Sequence, residues 1–446
     1  MSAFKLTGQI MMAGARAHAK WEKEMSDRIL GDRKRLIILG LLLLPIILGG
    51  IAWADELVTA LPSILGGKMA YSPAFYTSTI FFASIGVGLG AGLITGCIGA
   101  GGGFIIAPAL MSAGVKGIMA VGTDLFHIFA KAIMGSVLHR KLGNISVPLA
   151  VTFLIGAIGG ATVGGLINRT LYELNPVLSD AFITTVYVFM LGFLGFYSLT
   201  DFLSSRKSRK ITSGADGAVG ADGAVVAPGE VVAEKETMTA LSEKLQSINI
   251  PPMVHFDQGV VPGGRKISAI FLVIAGAFVG LAAAIMGVGG GFLTFPIFVY
   301  ILGVSSSTTV GTDIFQIIFT AGYAGLGQYA IYGFIFYTLA MGMLLGSLIG
   351  IQIGSVVTKV VPGTTIRGFY AVAVLSGFVN RAFALPSKLA ALGYLDITAR
   401  TGYILEQIGI YLFFVVITIF SVWVIGTFVV NIKHLKIGHA TPSHLA

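Results

Sequence analysis

Charge is the first thing this chain has little of. Only 11% of its 446 residues are Asp, Glu, Lys or Arg, against 55% hydrophobic residues and a mean hydropathy of +0.89. That is too few charges to coat a soluble globule of this length, so the chain is read as embedded in a lipid bilayer. Cysteine is almost absent as well. Cys97 stands alone, which excludes a disulfide within the chain, and it is read as a small apolar packing residue. Apart from His127, the histidines (His18, His139, His255, His434, His439 and His444) fall in tails, loops or helix ends, so no metal constellation is expected. The glycine clusters lack a following Gly-Lys-Ser/Thr, and there is neither a nucleophile elbow nor a zinc-protease helix signature. These absences argue against an enzyme and against any cofactor.

What the chain does have is apolar runs near the length of about 20 residues that spans a bilayer. Ten can be drawn: Leu36 to Trp53, Ala74 to Gly96, Gly117 to Leu138, Ser146 to Ile167, Ala181 to Leu203, Ile267 to Met286, Ser306 to Ala330, Phe334 to Val357, Ile366 to Leu385 and Tyr403 to Val430. Two shorter runs, Phe104 to Val115 and Phe292 to Val304, read as half-helices or re-entrant pieces. The fold class is therefore an all-α polytopic membrane protein. Ala52-Trp53-Ala54 resembles a signal-peptidase site, but the charged lead of 35 residues is long for a secretory signal, and the expectation is an uncleaved first helix.

The net charge of +9 is unevenly distributed: eight Lys or Arg precede Leu36, and further bases lie at Arg206, Lys207, Arg209, Lys210, Arg265, Lys266, Lys433 and Lys436. Flanking bases orient membrane spans, and the positive-inside rule puts all of these in the cytoplasm; a nucleic-acid partner is not needed to explain them. The expected division is a cytoplasmic lead at 1–35, an extra helix at 36–54, a first repeat at 74–203, a flexible cytoplasmic linker at 204–264, a second repeat at 267–386, an extra helix at 403–430 and a cytoplasmic tail at 431–446. The linker reading rests on charge, Gly, Ala and Pro, with a short helix or dock near Glu234 to Gln246 as the alternative.

The chain also carries one phrase twice. Gly99-Ala100-Gly101-Gly102-Gly103-Phe104 with Pro108 recurs as Gly287-Val288-Gly289-Gly290-Gly291-Phe292 with Pro296, and Val121-Gly122-Thr123-Asp124 with Phe126 recurs as Val310-Gly311-Thr312-Asp313 with Phe315. The duplicated unit is thus a half-protein. The first half crosses an odd number of times before a cytoplasmic linker, so the two halves are expected to face opposite ways as inverted repeats. Gly156, Gly160 and Gly164, matched by Gly346, Gly350 and Gly354, line single helix stripes and predict close helix packing.

Three adjacent glycines cost a helix about 1 kcal/mol each against alanine, so Gly101, Gly102, Gly103 and Gly289, Gly290, Gly291 predict breaks. The restarting helices would turn unpaired amides and partial positive charge towards a shared cavity, a receptor for an anion. Asp124, His127 and Lys131 fall at i, i+3 and i+7 with Thr123 beside them, and Asp313, Gln316 and Thr320 occupy the matching stripe. Lys131 and His127 are the candidates for direct anion contact, with Thr123, Thr312 and Gln316 as hydrogen-bonding partners. Asp124 and Asp313 would cap helix ends, pair with Lys131, or bind a coupling H+ or Na+. For Arg381, beside Asn380, the favoured reading is an interfacial side chain snorkelling to the membrane surface; the alternative is a vestibule guide for anions.

These two duplicated motifs and their spacing resemble the sulfite exporter TauE/SafE family, also called the toluene sulfonate uptake permease family, over Ala74 to Leu203 and Ile267 to Leu385. The resemblance implies a multi-pass permease of the bacterial inner membrane, with both termini cytoplasmic, for small sulfur-containing anions such as sulfite, sulfoacetate or other sulfonates. Alternating access in a secondary transporter is the reading adopted; an anion channel, or less readily a membrane sensor, fits the same pattern. The chain departs from compact family members in its basic lead, its 61-residue linker and its carboxy-terminal extension. Substrate, direction and oligomeric state are not encoded in any motif.

Overall fold

Glycine decides where the helices stop and how closely they pack. The computed structural model describes residues 78–98, 102–142, 145–212, 240–258, 263–357, 361 and 363–437; the expected lead at 1–35, the helix at 36–54, Gly101 and the distal tail lie outside them. The first half is α1 (Ser78–Ile98), α2 (Gly103–Ser112), α3 (Gly117–Leu142), α4 (Val147–Leu174) and α5 (Pro176–Thr212). A connecting segment holds α6 (Ala240–Ser247) and the antiparallel pair β1 (Met253–Phe256) and β2 (Arg265–Ser268). The second half is α7 (Ala269–Met286), α8 (Gly291–Pro296) running into a π-helical turn (Ile297–Leu302), α9 (Ser306–Gly322) running into another (Tyr323–Ala330), α10 (Tyr337–Val357) and α11 (Gly363–Ala391). Last comes α12 (Ala399–Ile437).

The halves are interleaved reciprocally. α1 packs along α10 of the other half and α7 packs along α4, while α3 meets its counterpart α9 and α5 meets its counterpart α11. Each crossed pair is a glycine seam. A methyl group on Gly156, Gly160 or Gly164 would run into the carbonyls of Val273, Ala277 and Leu281, and one on Gly276 or Gly280 into those of Phe153 and Ala157. In the other pair, Gly346, Gly350 and Gly354 face the carbonyls of Ile85, Leu89 and Leu93, and Gly88 and Gly92 face Met343 and Ser347. With no hydrophobic gain between apolar helices in lipid, backbone approach of this kind supplies the dispersion that holds them. Large apolar side chains such as Phe189, Phe193, Val415 and Val422 cover the outer perimeter.

Six helices among the described residues are long and apolar enough to cross a membrane: α4, α5, α7, α10, α11 and α12. Ten runs were expected. The first lies outside the described residues, α1 is a shorter apolar helix, α9 has only 17 residues before its π-helical turn, and α3 is not among the six. The connecting segment also differs from expectation. Instead of a tether throughout 204–264, α5 continues to Thr212, and the part from Ala240 docks on the second half. Gln246 Nε2 donates to the Leu302 carbonyl (2.8 Å), Arg265 Nη1 to that of Gly303 (2.8 Å), and Asp257 accepts from the Ser305 amide (2.9 Å) and hydroxyl (2.7 Å). Ser305 is the residue that caps α9, so the segment fixes the turn that delivers α9 to the centre.

Candidate functional site

The two helix interruptions meet. α1 ends at Ile98 and α2 restarts at Gly103; α7 ends at Met286 and α8 restarts at Gly291. Gly287, Gly289 and Gly290 have φ of 79°, 68° and 89°, a region glycine enters without steric cost. A Cβ on Gly103 would lie 2.9 Å from Val288 Cα, and Cβ atoms on Gly287 and Gly289 would lie 2.7 Å from Val121 Cα and from Ile128 Cγ2. The second break therefore rests on α3 of the first half and against the start of α2. Gly102 and Gly290 have a different neighbour: each backs onto the helix preceding its own break, at Thr95 and Val279.

Each break frees backbone groups, which must find partners at this depth. At the end of α7 the Ala284 carbonyl accepts from Tyr329 Oη (2.5 Å), that of Ile285 from Asn168 Nδ2 (3.1 Å), and that of Met286 from Tyr187 Oη. Sequence reasoning passed over all three side chains. The available signal was Asn168, an amide in an apolar run. At the restarts, carboxylates stand in front. A Cβ on Gly103 would be 3.3 Å from Asp124 Oδ2, and one on Gly291 would be 3.2 Å from Asp313 Oδ2. The positive ends of α2 and α8 thus each face an internal acid, where an open anion receptor was expected.

The stripe on α3 is brought together as the spacing predicts. Asp124 is fully buried and His127 is 2% exposed; His127 Nε2 is 2.9 Å from Ser347 Oγ on α10, and its Nδ1 is 3.5 Å from Asp124 Oδ1. Among the described residues no side chain is hydrogen-bonded to either Asp124 oxygen or to His127 Nδ1; the group that approaches Asp124 is the backbone of Ala107. Lys131, one turn on, lies within electrostatic reach of both. The matching stripe on α9 is closed: Gln316 Nε2 donates to Asp313 Oδ1 (2.9 Å), and Thr320 Oγ1 donates to Gln316 Oε1 (2.7 Å).

Thr123 and Thr312 are used as braces between the halves. Thr123 Oγ1 accepts from the Phe336 amide and Thr312 Oγ1 from the Ser146 amide, each at 3.0 Å. Ser146 and Phe336 directly precede α4 and α10, so each threonine satisfies one amide at the head of a helix in the opposite half. Arg381 overturns the snorkelling reading: it is 1% exposed and sits deep against α2.

Comparison with known proteins follows from this geometry. The family described as Sulfite exporter TauE/SafE matches residues 84–381, the span that holds both breaks and both stripes. The chain is 24% identical over 270 residues to "Probable membrane transporter protein YjnA" of Bacillus subtilis (strain 168), covering 60% of this chain and 87% of that protein. It is 32% identical over 99 residues to "Probable membrane transporter protein YunE" of the same organism, covering 22% of this chain and 36% of that one. No solved structure matches.

Proposed function

This chain belongs to the sulfite exporter TauE/SafE family of membrane transporters, and from that premise we propose that it is a secondary transporter for small sulfur-containing anions such as sulfite, sulfoacetate or other organosulfonates. One observation carries the reading: two broken helices converge on a buried Asp124–His127 pair whose facing atoms are hydrogen-bonded by no side chain among the described residues. An ionisable group at this depth is costly and is by default a pathway residue.

The substrate anion binds between the breaks, in contact with Lys131 and His127 and with amides beside Gly102, Gly103 and Gly289 to Gly291, and Gln316 contributes from the second half. Two negative charges cannot share the start of α2. Asp124 therefore takes up a proton before the anion settles against Gly103, and that exchange couples transport to a proton gradient; Asp313 is the corresponding carboxylate of the second half. The halves act as inverted repeats in the bacterial cytoplasmic membrane, with both termini inside. Their reciprocal glycine seams support rocking of one bundle against the other, so that the site is presented to each side in turn.

Reconstituted protein is expected to move sulfite or sulfoacetate uphill when a proton gradient is imposed, with saturation. Replacing Lys131 with Met is expected to abolish flux while leaving membrane insertion intact. Wild-type kinetics in Lys131→Met would remove that residue from the site, and non-saturable, strictly downhill flux would make the protein a channel.

A further inference from the structure

Arg381 on α11 is the largest fully buried side chain among the described residues, and its direct partners there are neutral. Its Nε donates to Asn380 Oδ1 (2.7 Å) and its Nη2 to Ser112 Oγ (2.7 Å), while Asn380 Nδ2 donates to the same Ser112 oxygen (2.9 Å). Both partners are neutral. Among the described residues no carboxylate lies within ion-pair distance of Arg381.

Two acids act on it from farther off without touching it, Glu406 and Asp180; among the described residues Asp180 is paired with another cation, and Glu406 holds only a hydroxyl. Asp180 accepts from the Gly117 amide at the head of α3 (2.7 Å) and pairs with Lys388 (3.5 Å); Glu406 accepts from Ser387 Oγ (3.1 Å). The other buried guanidinium, Arg169, is placed differently: it donates to the carbonyl and side chain of Gln328 and stacks on Tyr332, with its carbon 4.0 Å from the ring centre. A guanidinium taken out of water without a carboxylate pays a desolvation cost that neutral partners only partly offset.

The position of Arg381 points to what offsets the rest. Ser112 is the last residue of α2 and Gly103, facing Asp124, is the first, so α2 runs from the central pair to Arg381. Tyr187 lies within electrostatic reach of both Asp124 and Arg381, and its hydroxyl donates to Met286 at the second break. Tyr187 is thus a group that both the guanidinium and the central acid act on.

We propose that Arg381, framed by Ser112 and Asn380, is a second binding station for the transported oxyanion, reached past Tyr187 from the Asp124–His127 pair. The planar fork of arginine fits two oxygens of a sulfite or sulfonate group, and Ser112 and Asn380 orient it. The station rests on the anion-transport reading given above.

The test uses full-length protein in proteoliposomes and in detergent, with Arg381→Gln and Arg381→Lys. Flux is measured against concentration, and thermal stabilisation against sulfite, sulfoacetate, sulfate, phosphate, acetate and chloride. Arg381→Gln is expected to raise KM for the transported anion about tenfold or more, as loss of a charge-assisted contact predicts, and to weaken its thermal stabilisation equally. Without anion, its melting temperature should stay at or above wild type, because an uncompensated buried charge is gone. A structural anchor for the end of α2 would do the reverse, lowering the anion-free melting temperature and leaving KM unchanged; that result overturns the station. Should Arg381→Gln not assemble, Arg381→Lys keeps the charge without the fork and is expected to raise KM about threefold; an unchanged KM there overturns the station too. An Arg381-dependent response to acetate or phosphate alone would uphold the station and refute the sulfur substrates. No wild-type response to any of the anions would refute both.

Discussion

Gly159 and Gly160 are neighbours on α4 with opposite surroundings, and they make the glycine seam testable one methyl group at a time. A Cβ on Gly159 meets nothing within 4 Å, whereas one on Gly160 would be driven into the carbonyl of Ala277 on α7. Alanine at either site gains about 1 kcal/mol of helix propensity. At Gly160 the obstacle is backbone, which cannot rotate away, so α4 and α7 must separate along a contact that also involves Gly156, Gly276 and Gly280. Overpacking of this kind costs about 1–3 kcal/mol; the propensity gain is common to both variants and cancels, so they should differ by about 1–3 kcal/mol. At roughly 2 °C per kcal/mol for a chain of this size, Gly160→Ala should melt about 2–6 °C below Gly159→Ala in detergent. Gly350→Ala, at the matching seam of α10 and α1, should behave like Gly160→Ala. Equal melting temperatures for Gly159→Ala and Gly160→Ala would refute the close-packed seam, and with it the reciprocal arrangement of the halves.

The two aspartates should separate functionally. Asp124→Asn removes the proton-carrying group at the start of α2 and is expected to leave flux that no longer responds to an imposed pH gradient, whereas Asp313→Asn keeps a side chain that Gln316 can bond and should stay coupled; coupled flux in Asp124→Asn would show that the proton is carried elsewhere. Tyr329→Phe strips a hydroxyl from the Ala284 carbonyl and from Asn168 and should destabilise by about 1–3 kcal/mol, read as a lower melting temperature; no change would mean that another donor satisfies that helix end. Asp257→Ala removes the acceptor of the Ser305 amide and hydroxyl, and the connecting segment should then be cut faster by protease between α6 and β2 at unchanged melting temperature; wild-type cleavage would refute the docking.

What could be read in the chain was what local chemistry decides. Adjacent glycines are costly inside a helix, and the second interruption, between Met286 and Gly291, falls at its glycine cluster, while at the first Gly101 lies outside the described residues. Residues spaced i, i+3 and i+7 share a helix face, which puts Asp124, His127 and Lys131 on one side of α3. The roles that were not legible depend on distant partners. Thr123 has the same hydroxyl whether it binds a ligand or braces a helix, and the Phe336 amide that settles the matter is 213 residues away. Arg381 near a proline and a lysine reads as an interfacial residue until α2 is laid against α11. The strand at Met253–Phe256 alternates, with Val254 and Phe256 buried and His255 exposed, but the surrounding Pro251-Pro252 and Gly263-Gly264 made the whole stretch look like linker. Asn168 was passed over because the carbonyls it serves exist only once α7 has been interrupted.

The halves share a backbone plan but not a charge plan, and the difference bears on mechanism. His127 and Lys131 correspond to Gln316 and Thr320, while Asp124 corresponds to Asp313. In the second half the substitutions close the circuit: Thr320 bonds Gln316, and Gln316 bonds Asp313. In the first half His127 bonds Ser347 across the interface, and among the described residues no side chain hydrogen-bonds Asp124. For the proton-coupled transport proposed above, this asymmetry places the change of protonation in the first half. The first repeat then carries the charge chemistry, and the second supplies a neutral wall against which it works. The same contrast accounts for the likeness of Thr123 and Thr312: bracing α10 and α4 is the same task in each half and needs no charge.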